Sequence, residues 1–131
     1  MYSEFEKWLD NVLDNATLPS DGVAVNFNIY EEGDDEWSVQ IILASRFDSE
    51  DMDWACDEVF SSEEDIYIWK QETSWEEVVV SANEWICKYL ESGKHAETLK
   101  SYEAVGAGFI DGIIEILYPV SESELPEEDE A

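Results

Sequence analysis

Positive charge is what this 131-residue chain has least of: six Lys and Arg stand against 34 Asp and Glu, a formal net charge of −28. No basic patch can be assembled from Lys7, Arg46, Lys70, Lys88, Lys94 and Lys100. Direct binding to a nucleic-acid backbone or an anionic membrane surface is therefore disfavoured, since both are polyanions. Long hydrophobic runs are missing too. Nothing approaches the roughly 18 apolar residues of a membrane span, and the start "MYSEFEKWLD" has neither the basic nor the apolar region of a signal peptide, so a cytoplasmic location is expected. Only two cysteines occur, Cys56 and Cys87, and without an export signal two small buried thiols are expected rather than a disulfide. Histidine is limited to His95, expected to be a solvated or locally satisfied side chain just past a helix end. With no second histidine and no short cysteine spacing, a zinc cluster is excluded. No phosphate-binding glycine pattern and no G-x-S-x-G element is present.

What is there argues for folding. Hydrophobic residues make up 44% and aromatics 13%, six of them Trp, which is enough to bury a core despite the charge. The length suits one small domain, expected over residues 1–120. The tail 121–131, with six acidic residues and Leu125 as its only large apolar one, is expected to be disordered. Removing it leaves 28 acids, so the tail does not account for the charge.

Periodicity sets the order of elements. Phe5, Trp8, Leu9, Val12 and Leu13 recur at helical spacing, with Ser3 and Glu6 at the positions of a capping box. After "LPSDG" the period becomes two: Val23, Val25, Phe27 and Ile29 alternate with Ala24, Asn26, Asn28 and Tyr30. Trp37, Val39, Ile41 and Leu43 repeat the pattern, and Gly33 between the runs predicts an antiparallel hairpin. Residues 46–65 carry nine acids and one base, interrupted by Phe47, Met52, Trp54, Cys56, Val59 and Phe60. They suit a long loop with its apolar side chains inward and a helical turn near "DWACDEVF". "DIYIWKQE" has strand character. Ser74 and Glu77 open a long helix whose stripe runs from Trp75 to Leu90, with Gly93 as its stop. Residues 102–118 fit helical spacing in part, but their glycines and the Asp111-Gly112 dipeptide favour two strands joined by a tight turn. The expected fold is α+β (or α/β), a mainly antiparallel sheet packed against helices. Trp8, Leu9, Leu13, Val25, Phe27, Val39, Ile41, Ile68, Val79, Trp85, Ile86 and Leu90 form the expected core.

Carboxylates are the remaining chemistry. "DMDWACDE" invites a calcium reading, but counted from Asp51 the EF-hand register fails at Ala55, Cys56 and Ser62. Among 34 acids a general acid/base pair carries no information. No catalytic residue, metal ligand or cofactor is assigned, and the chain is not expected to be an enzyme. The charge itself is the positive clue, because it exceeds the magnitude of about 2–8 that keeps a small domain soluble. One reading is a merely solvated acidic surface, as in an organism rich in internal salt. The other is a surface shaped to receive a basic partner. Its leading residues are Asp34, Asp35, Asp48, Asp51, Asp53, Asp57 and Glu58, with Trp54 either an anchor or a core residue. A DNA mimic is the alternative, yet loop clusters separated by aromatics suit a protein interface better than rows of carboxylates at phosphate spacing. An acidic structural domain and a small hydrolase stand behind both.

The capped first helix, the acidic loops and the segments "FDSEDMDWACDEVF" and "GFIDGIIEILY" resemble bacterial immunity proteins encoded beside polymorphic or contact-dependent toxins. The resemblance implies a cytoplasmic inhibitor that binds a basic toxin or nuclease domain without catalysis. It transfers no functional residue and leaves the oligomeric state open.

Overall fold

Alternation after Gly22 produces the expected hairpin. In the computed structural model, which describes residues 2–48, 50–62, 65–109 and 114–118, β1 (Ala24–Gly33) pairs antiparallel with β2 (Glu36–Ala44) from Ala24↔Ala44 to Gly33↔Glu36. Asp35 closes the turn at φ 57°, a left-handed conformation that Asp tolerates better than most residues. On the outer side of β2 run two short antiparallel strands. β3 (Glu58–Ser61) pairs with Ile42–Ala44, and β4 (Tyr67–Lys70) pairs with Glu36–Val39. Ser62 bridges the interval: its N–H donates to the Ile41 oxygen at 3.0 Å, and its Oγ accepts from the Ile41 N–H at 3.2 Å.

On the other side of β1 lies β5 (Ala104–Phe109), parallel to it from Ala24↔Ala104 to Ile29↔Phe109, and then β6 (Glu115–Tyr118), antiparallel to β5. The two terminal strands are thus present, while the Asp111-Gly112 turn and the tail 121–131 lie outside the described residues. The sheet is mixed, β1–β5 being its parallel pairing.

Helices α1 (Tyr2–Asn15), α2 (Trp75–Ser92) and α3 (Ala96–Lys100) share one core with the sheet. Phe5, Leu9, Leu13, Val78, Ala82, Ile86, Tyr89 and Leu99 pack against Val25, Phe27, Ile29, Val39, Ile41 and Val105. Burying such side chains contributes about 1.5–3 kcal/mol each, which outweighs the weak helix propensity of three consecutive valines in α2. Ser74 caps α2, its side chain accepting from the Glu77 N–H at 3.4 Å. Gly93 ends it where a Cβ would stand 2.6 Å from the buried Tyr89 ring.

Several expectations are corrected. α1 already includes Tyr2, so Ser3 lies within the first turn and not ahead of it. Within residues 46–65 the expected helical turn is present as the 3-10 helix Met52–Cys56, but Glu58–Ser61 joins the sheet and does not continue as loop. Ile68 is 49% exposed, because β4 turns Trp69 to the helix side and alternation forces its neighbour outward. Trp8, Val79 and Trp85 flank the core as partly buried residues. Both cysteines are exposed and unpaired.

Candidate functional site

The expected partner-binding carboxylates fall into two groups that the hairpin holds apart. Asp34 and Asp35 occupy the β1–β2 turn, whereas Asp48, Asp51, Asp53, Asp57 and Glu58 follow the far end of β2. β2 is nine residues long, which separates the groups by about 27 Å at ~3.3 Å per residue. All seven are exposed.

The far group is organised from within. Arg46 bonds Asp57 and lies 3.7 Å from Asp51, and pairing with Asp57 raises the guanidinium pKa further. Asp51 also accepts the Asp53 N–H at 3.0 Å at the start of the 3-10 helix, and Asp48 accepts the Glu50 N–H at 2.9 Å. Three of these carboxylates therefore shape the loop they sit on. Glu58 is exposed as a residue, but partial desolvation of its carboxyl pushes the pKa up. Trp54 is 1% exposed and meets Phe47 edge-on at 5.2 Å over Ala24, Ile42, Ala44 and Ala104. It takes the core side of the alternative: the ring pins the acidic loop to the sheet and is not presented to a partner.

The near group sits on a firmer platform. The main-chain oxygen of Asp35 accepts the Gln71 N–H at 2.9 Å. The Gln71 oxygen accepts the Trp37 indole N–H at 2.9 Å, its Oε1 accepts from Trp69 at 3.0 Å, and its Nε2 donates to Ser81 of α2 at 3.1 Å. Trp37 meets Phe109 edge-on at 6.3 Å, and Phe109 in turn meets Trp75 at 5.6 Å. Trp75, the first residue of α2, is 49% exposed. It reads in the sequence as one more member of the helical stripe. Its place in the first turn, directly after the Ser74 cap, is the signal that it overhangs the end of the core.

On the sheet face away from the helices, amides form a row. Asn26 donates to Asn28 at 2.6 Å, Asn28 to Gln40 at 3.3 Å, and Gln40 to Ser61 at 3.0 Å, while the Tyr30 hydroxyl donates to Gln40 at 3.1 Å. Asn26 Oδ1 is buried without a partner. This row fixes strand register on a half-covered face, and the orphan oxygen lies close to Gly106, where a Cβ would stand 2.9 Å from it.

Reactive groups are dispersed. His95 bonds Asp14 at 2.8 Å, and although Cys87 is exposed as a residue, partial desolvation of its thiol together with Glu115 and Glu91 raises the thiol pKa and disfavours the thiolate. Among the described residues no three His, Cys, Asp or Glu side chains are grouped to hold a metal ion, and no helix is long and apolar enough to cross a membrane. No family model, curated protein or solved structure matches the chain.

Proposed function

We propose that this protein is a non-catalytic inhibitor that binds and neutralises a basic protein in the cytoplasm, a nuclease-type toxin domain being the partner class that fits. The observation that carries this reading is a net charge of −28 on a domain with a well-packed core. Self-repulsion of that size opposes folding, and solubility does not require it. A strongly basic partner turns the same field into attraction, raising the encounter rate and pairing carboxylates with Lys or Arg in the complex. Proteins that grip nucleic acid have such basic grooves.

The test is inhibition of basic nuclease domains from the native organism, with activity followed as inhibitor is added at low and at high ionic strength. A stoichiometric loss of activity that weakens with salt is expected. Full activity at excess inhibitor overturns the reading. Displacement of duplex DNA from a DNA-binding protein, with the nuclease unaffected, moves it to a DNA mimic.

A further inference from the structure

We infer that the docking face for a basic protein is the hairpin-tip end of the domain, with Trp75 as its apolar anchor and Asp34, Asp35, Glu72 and Glu76 as its charged rim. This rests on the reading of the protein as a binder of basic partners and goes further by choosing between the two acidic ends. Segments 31–36 and 70–77 carry eight carboxylates and one base, Lys70. Asp34, Asp35, Glu72 and Glu76 are exposed.

Charge is similar at the other end, and what differs is the aromatic. Trp54 is 1% exposed and committed to holding its loop, while Trp75 is 49% exposed and backed by Phe109 and Trp37. Binding energy concentrates in aromatic side chains that are rigidly supported and become desolvated, and surrounding charges chiefly steer encounter. Trp75 meets that description: its ring rests on Phe109, and the Gln71 bonds fix the hairpin tip beside the start of α2. The far loop spends Asp51 and Asp57 on Arg46 and leaves no large aromatic outside. A basic protein offering an aliphatic or guanidinium surface ringed by Lys and Arg complements the tip in both charge and polarity.

The experiment uses the full chain and a catalytically inactivated basic nuclease domain from the native organism as probe, with affinity measured by calorimetry and association rates by stopped flow. Trp75→Ala is expected to weaken binding on the order of 30-fold. Ile68→Ala, which removes an equally exposed apolar side chain from the opposite sheet face, is expected to change it less than about twofold. Glu72→Gln/Glu76→Gln, which leaves the ring in place, is expected to slow association mainly at low salt. Thermal midpoints of all variants report that the fold is retained. Binding by the parent with Trp75→Ala and Glu72→Gln/Glu76→Gln both unchanged keeps the proposed function and overturns this face. A parent that does not bind removes the function and the face together. Sedimentation of the protein alone covers the remaining occupant: a dimer abolished by Trp75→Ala makes the tip a self-association surface and overturns the inference.

Discussion

The indole N–H of Trp37 donates to the main-chain oxygen of Gln71 at 2.9 Å across 34 residues of sequence. The same glutamine accepts from Trp69 with its side-chain oxygen and reaches Ser81 with its nitrogen. One residue thereby ties the hairpin, β4 and α2 together at the end where Trp75 emerges. Gln71→Ala keeps the main-chain bonds and removes both side-chain ones, leaving the indole N–H of Trp69, a 5% exposed residue, without its acceptor. The expected loss is about 1–3 kcal/mol in urea denaturation. An unchanged midpoint would show that water replaces the amide at no cost.

The β1–β2 hairpin was legible because two alternating runs flank Gly33 in a short polar turn, and α2 because its stripe is bounded by Ser74 and Gly93. β4 was harder to read. Ile66 and Ile68 alternate with Tyr67 and Trp69, both sets are apolar, and a period of two does not tell which set faces the helices. The choice fell to Trp69, which packs edge-on against Trp85 at 5.1 Å. β3 has no pattern of its own in "EVFS" and exists through pairing with β2. Parallel pairing of β1 with β5 joins residues 80 positions apart and leaves no local trace. Of the acidic surface, the sequence showed the residues but not their separation by the length of β2, nor that Trp54 turns inward while Trp75 does not.

Ile86 and Ile68 test the face assignment directly. Ile86 is fully buried in α2 and Ile68 is 49% exposed. Ile86→Ala should cost about 2–5 kcal/mol by removing packed methyl groups and leaving a cavity. Ile68→Ala should cost no more than about 0.5 kcal/mol, as is usual for a surface position. Denaturant midpoints measured side by side decide it, and equal losses would place both residues in the core.

Asp14 makes the junction of α1 with α3 sensitive to acid. Its carboxylate meets Lys94 Nζ at 2.9 Å and His95 Nε2 at 2.8 Å, and the hydrogen bonds from these two side chains, Lys94 first, hold its pKa below the ordinary aspartate range. A carboxyl whose folded value is depressed contributes stability above its unfolded value, and that contribution disappears as pH falls through the folded one. The thermal midpoint of the parent should exceed that of Asp14→Asn near neutrality, with the gap closing below about pH 4. Protonation of the other carboxylates acts on both proteins alike, so the difference isolates this residue. A gap that persists into strong acid would assign the effect to packing.

Asp51 and Asp53 separate a carboxylate that shapes the fold from one that only adds charge. Asp51 accepts the Asp53 N–H and faces Arg46, whereas the Asp53 side chain is exposed within a segment of six acids and one base, residues 46–58. Asp51→Ala should lower stability by about 1 kcal/mol, as loss of a capping side chain does. Asp53→Asn should leave stability unchanged or raise it by a few tenths of a kcal/mol through relief of repulsion. Salt distinguishes the causes, because the screening length falls from about 30 Å at 0.01 M to about 8 Å at 0.15 M. The parent should become more stable over that range, and any advantage of Asp53→Asn should shrink with it. The deficit of Asp51→Ala should remain, since a short hydrogen bond is screened far less than repulsion spread over a surface. Urea midpoints at the two ionic strengths measure all three. A deficit for Asp51→Ala that vanishes in salt would reduce its role to charge alone, and a parent indifferent to salt would mean that −28 charges repel too weakly to matter to folding.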